Sequence, residues 1–151
     1  MNFVEQLLQN RIFVSAATGW LVAQVLKTMI HFILTKKLVA ERMVGSGGMP
    51  SSHSATVCAL ATATGIQYGG GGFEFAVTVM LAIIVMYDAM GVRRETGKQG
   101  QVLNEMMEVF MNMGKQISVE AKLKEFVGHT PLQVLMGAIL GIVIAVIIMS
   151  I

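Results

Sequence analysis

Two histidines and two arginines in this chain have the types and settings that phosphoryl chemistry requires. His53 follows Gly47, Gly48, Met49, Pro50, Ser51 and Ser52, a glycine-rich approach to a helix start. A helix start offers outward-pointing N–H groups and the positive end of the dipole, so this segment suits an anion. Its plainer reading is a glycine hinge followed by serine capping. His129 lies in Gly128-His129-Thr130-Pro131, where Thr130 and Pro131 read as the cap and first residue of another helix. Arg93 and Arg94 fall between the histidines, in the segment Asp88 to Lys98. Paired guanidinium groups can grip phosphate bidentately, or complement a helix C-terminus and anchor it among headgroups. Asp88 sits nearly one turn inside an apolar run, a costly place that calls for a partner or a function. One histidine could attack phosphorus while the other protonates the leaving oxygen, with the cations stabilising the charge on the transferring group.

The elements that must position these residues are membrane helices. The chain is 54% hydrophobic and 13% charged, against about 25% charged in soluble domains. Its 151 residues suit one domain spanning 1–151. Four apolar runs approach the ~20 residues a crossing needs: Ile12 to Leu34, Ser51 to Tyr68, Phe73 to Val92 and Pro131 to Ile151. The second is Ala/Thr-rich and better suited to packing among helices than to facing lipid. Gly69 to Gly72 reads as a tight turn, and Gly137 and Gly141 form a GxxxG that suits close helix packing. Leu103, Met106, Met107 and Phe110 recur at i, i+3, i+4, i+7, which predicts an amphipathic helix on the membrane surface or against the bundle. A further short helix is expected over Ser118 to Val127. The expected fold is thus an all-α membrane bundle of about four transmembrane helices plus an amphipathic surface helix. Cys58 is alone and reads as a small core residue, and the thirteen methionines read as apolar packing.

Alternating spans put the end of the first, the start of the second, the end of the third and the start of the fourth on one membrane face. Lys36 and Lys37, Gly47 to His53, Asp88 to Lys98 and Gly128 to Pro131 converge there. Gln24, Lys27, His31 and Thr35 form one stripe of the first span, facing the bundle interior. Lys27 has three readings: phosphate contact, an ion pair with Asp88, or simple burial. Nine of the eleven Lys/Arg fall on the motif face, including Arg42, Lys115, Lys122 and Lys124. The positive-inside rule then predicts a cytoplasmic site with both termini outside, in a bacterial inner membrane.

GGMPSSHSA, YDAMGVRRETGKQ and GHTPLQVLMGAILG together resemble the divergent branch of the type 2 phosphatidic acid phosphatase family, related to vanadium-dependent haloperoxidases. The resemblance runs from about Gln24 to Gly141. It implies a metal-independent, cofactor-free phosphatase with a phosphohistidine intermediate, acting on membrane lipid phosphates; phosphatidylglycerophosphate, phosphatidic acid and polyprenyl pyrophosphate all stay open as the substrate, and a cytoplasmic site suits the first. It implies His129 as nucleophile, His53 as general acid, Arg93 or Arg94 as the third-motif arginine, and Lys27 or Lys37 as the first-motif lysine. The candidate catalytic set is His129, His53, Arg93, Arg94 and Asp88. The candidate phosphate ligands are Lys27, Lys37, Gly47, Gly48, Ser51 and Ser52. The sequence departs from the family pattern in lacking the first motif's Arg-Pro pair and in having Gln133 where an aspartate is usual. Gln133, Asp88, Glu95 and Glu125 are then the candidates for orienting His129. The competing functions are a catalytically silent membrane protein that binds anionic headgroups or a partner, and a small transporter subunit. The expected partners are the bilayer and a membrane lipid phosphate, with no nucleic acid; the GxxxG is compatible with a homodimer.

Overall fold

The computed structural model describes residues 2–36, 48–113 and 128–151, and these form six helices with no strand among them. They are α1 (Phe3–Gln9), α2 (Arg11–Thr35), α3 (Ser52–Tyr68), α4 (Phe73–Met90), α5 (Val92–Asn112) and α6 (Pro131–Ser150). Lys37, Gly47, Arg42, Lys115, Lys122, Lys124, Glu125 and the short helix expected over Ser118 to Val127 lie outside the described residues.

Among the described residues, three helices are long and apolar enough to cross a membrane: α2, α4 with its continuation, and α6. The 17-residue α3 is the centre of the bundle, packed against α2, α4 and α6. It runs parallel to α6, from the bond of Ser51 N–H to the Gln133 carbonyl at one end to the cluster of Ala59, Ala63 and Ala145 with Met149 at the other. It runs antiparallel to α4, where Val57 and Ala61 meet Ala82, and the Cys58 thiol lies 3.7 Å from the Met86 sulfur. So α3 passes through the same layer as the three apolar helices. Its buried side chains are Ser, Ala, Val, Cys and Thr because α2, α4 and α6 all pack closely against it.

The packing is inverted relative to a soluble bundle. Small residues such as Ala16, Gly19, Ala23, Ala55, Ala59 and Ala145 fill the interior. Large ones point outward, including Trp20, Leu21 and Val25 on α2, Ile83 and Ile84 on α4, and Ile142 and Ile147 on α6. Lipid replaces water around that surface, so helix association rests on close backbone approach. The GxxxG of α6 supplies it within the chain: a Cβ on Gly137 would overlap the Ser51 carbonyl oxygen, and one on Gly141 would overlap that of Ala55. This face is taken by α3, so it gives no support to a homodimer. Gly137→Leu and Gly141→Leu should each cost about 3 kcal/mol or more by overpacking. Thermal unfolding in detergent checks this against Gly71→Ala, whose added methyl would meet nothing within 4 Å.

The structure departs from the expected boundaries in two places. Phe3–Gln9 is helical, closed by a reciprocal capping box between Asn2 and Glu5, with Asn10 then capping α2. The amphipathic helix begins at Val92, with only Gly91 between it and the end of α4, and not near Leu103. Arg93 and Arg94 therefore occupy the first turn of α5. Cations there oppose the dipole of α5, so complementing a helix C-terminus is not enough to explain them.

Candidate active site

Three chain segments meet where α3 and α6 begin and α4 ends. The His129 N–H donates to the Ala89 carbonyl at 3.0 Å, docking the Gly128–Thr130 strap on the end of α4. Gly128 lies directly on the backbone of Arg94, where any side chain would collide. The Ser51–Gln133 bond joins the His53 segment to the same strap. The rings of His53 and His129 come within 5.7 Å, centroid to centroid, at an interplanar angle of 65°.

Gln133 fixes which nitrogen of His129 carries the proton. Its Oε1 accepts from the Thr130 N–H at 3.0 Å, and a backbone N–H can only donate, so the amide oxygen faces the strap. The same oxygen lies 3.3 Å from His129 Nδ1. Nδ1 is then the N–H, and Nε2 keeps its lone pair. His129 is 1% exposed, and its Nε2 is buried with no hydrogen-bond partner. Burial pushes His129 below the usual histidine value; the Gln133 hydrogen bond works against this, while positive charge at His53, Lys27 and Arg93 adds to it. Its neutral form, with a free nucleophilic nitrogen, is favoured at neutral pH.

His53 is arranged the other way round. Arg93 Nη1 stands 3.5 Å from His53 Nε2, at the outer limit of a hydrogen bond. A guanidinium only donates, so a neutral ring accepting there carries its proton on Nδ1. That Nδ1 is buried without a partner. Arg93 Nε is in turn held 2.5 Å from the Asp88 carboxylate, which gives Asp88 its partner and aims the arginine.

Lys27 is 3% exposed, and its aliphatic stem runs beneath Gly48. Gly48 has φ +91°, and a side chain there would be strained and pressed against that stem. The Ser51 hydroxyl caps α3 by accepting from Ser54 N–H, and its own N–H is used by Gln133. Ser51 is thus occupied in the fold. The N–H groups of Ser52 and His53 are the first-turn donors without a partner among the described residues. Arg94 is brought close by its backbone, but its side chain is exposed. His31 is half-buried and Thr35 exposed, so the polar stripe of α2 is internal at Gln24 and Lys27 and emerges beyond them. Glu95 pairs with Lys98 at 2.6 Å and leaves His129 to Gln133.

Residues 8–144 match the family described as the divergent PAP2 family. The chain belongs to the divergent PAP2 family. It is also 38% identical over 152 residues to a Bacillus subtilis protein named as the uncharacterized membrane protein YuiD, covering 95% of this chain and 96% of the relative. No solved structure matches the chain. Within this divergent PAP2 protein, the group beside His129 Nδ1 is an uncharged amide, that of Gln133.

Proposed function

We propose that this membrane protein is a lipid-phosphate phosphatase working through a phosphohistidine. The observation that carries the reading is a buried His129 whose Nδ1–H is tied to Gln133 and whose Nε2 lies unpartnered beside His53. His129 Nε2 attacks phosphorus, forming a P–N bond as the P–O bond to the lipid breaks. For this step His53 is the imidazolium, favoured by the negative charge of the bound phosphate; it passes its Nδ1 proton to the leaving oxygen and becomes the neutral ring. Water then attacks the phosphohistidine, His53 takes its proton, and inorganic phosphate leaves with the His129 lone pair restored. Arg93, Lys27 and the N–H groups of Ser52 and His53 offset the charge on the phosphoryl oxygens.

The test is phosphate release by protein in detergent, over a panel of lipid phosphates that includes phosphatidylglycerophosphate, phosphatidic acid and a polyprenyl pyrophosphate. Turnover should continue in EDTA and be blocked by vanadate, which mimics the trigonal-bipyramidal phosphoryl group. Activity restored only by a divalent metal would require different chemistry. No release with any substrate would favour a silent headgroup-binding protein, and solute flux in liposomes would favour a transporter subunit.

The site is proposed to face the cytoplasm. The convergence of helix ends on one face supports the count of Lys/Arg there. A fusion at Ile151 should then give active alkaline phosphatase and a dark fluorescent protein that cannot fold outside; the reverse pattern overturns the orientation.

A further inference from the structure

α5 buries the wrong face for a helix in water. Its buried residues are Gly97, Gly100 and Asn104, which share one stripe. Val102, Met106, Val109, Phe110 and Met113 are exposed. At about 100° per residue these two stripes lie roughly opposite one another. From Val102 onward no polar residue interrupts the apolar arc. Val102, Glu105, Met106, Val109 and Phe110 line an open hollow of about 320 Å³ along it.

The surroundings specify what covers this face. α4 carries exposed apolar side chains up to Tyr87 at its end, and only Gly91 separates α4 from α5. α5 therefore starts directly at the end of a helix whose outer side is apolar. The level of the site on α2 is Lys27, yet α2 continues to Thr35 with Phe32, Ile33 and Leu34 exposed. Those eight residues add about 12 Å at 1.5 Å each, and a helix with its side chains is about 10–12 Å thick. An apolar layer one helix deep thus extends past the site level.

We propose that α5 lies flat in this layer, with its Val102–Met113 face seated in the acyl–headgroup boundary of the bilayer. Arg93, Arg94 and Lys98 are matched by Glu95, Glu105 and Glu108. Apolar burial and not attraction to anionic lipid holds the helix down. The placement stands whatever reaction the pocket performs.

Single-tryptophan variants of the full chain in phosphatidylcholine vesicles test it, in a Trp20→Phe background. In Met106→Trp, on the apolar face, acyl-brominated lipid should remove most of the emission, and aqueous iodide little. In Gln101→Trp, on the polar face, the order should reverse. Adding anionic lipid should change neither. Equal iodide quenching of the two variants would place α5 in water and overturn the proposal. Shielding of Met106→Trp from both quenchers would also overturn it, because protein, such as a second copy, would then cover the face. Val109→Trp repeats the measurement if Met106→Trp fails to fold.

Discussion

Replacing His129 with alanine should remove phosphate release and the covalent phosphoenzyme together, with a loss of at least about 10³-fold in kcat. The side chain is buried, and its unpartnered nitrogen stands beside the general-acid candidate. His53→Ala should behave differently. It removes the proton for the leaving oxygen, a contribution of about 10²–10⁴-fold. That loss should shrink for an aryl phosphate, whose leaving group needs no proton, and phosphoenzyme should still form. Acid-quenched labelling with radioactive phosphate separates the two variants, and thermal unfolding shows whether each still folds. Undiminished turnover in His129→Ala rejects the nucleophile assignment.

The second large effect is expected at Gln133. Gln133→Leu keeps the bulk but removes the acceptor that holds His129 Nδ1–H and the Thr130 N–H. Loss of tautomer control in a comparable histidine costs about 10⁴-fold in serine proteases, so kcat should fall by about 10²–10⁴-fold with little change in KM. Gln133→Glu retains both acceptor contacts and the capping box, but places negative charge on the ring. That charge stabilises the imidazolium and raises the pKa of His129, which burial holds below the usual histidine value. The acid limb of the pH–rate profile should therefore move to higher pH, with the lost activity regained as pH rises. A residue that only capped α6 would cost about 1 kcal/mol of stability and leave the profile in place. A Gln133→Glu profile superimposable on that of the unaltered protein would reject the hydrogen bond.

Much of this arrangement was legible in residue order because membrane helices alternate. Apolar runs located α2, α4 and α6, and Thr130-Pro131 marked the start of α6. What the sequence left open were relations set by rotation about helix axes. Gln133, Asp88, Glu95 and Glu125 were equal candidates to orient His129, until geometry gave Asp88 to Arg93 and Glu95 to Lys98. The break at Gly91 was hidden because Val92 continues the apolar run of α4, so the arginines read as a helix end when they open a new helix. The partner of the GxxxG was equally hidden, since small residues suit a neighbour in the same chain as well as one in another. α1 was missed although its signal was present, an Asn2-to-Glu5 spacing that closes a capping box.

The composition of α3 also bears on how the protein is made. A helix of Ala, Thr and Ser with a histidine in its first turn has little affinity for bare lipid, and its 17 residues cover only about 25 Å. The translocation machinery that reads hydrophobicity one segment at a time has little reason to release it sideways on its own. Its residence in the membrane depends on α2 already standing there and on α4 following after a four-glycine turn. The helix that carries His53 should thus enter the membrane only together with its neighbours, which would couple biogenesis to site assembly.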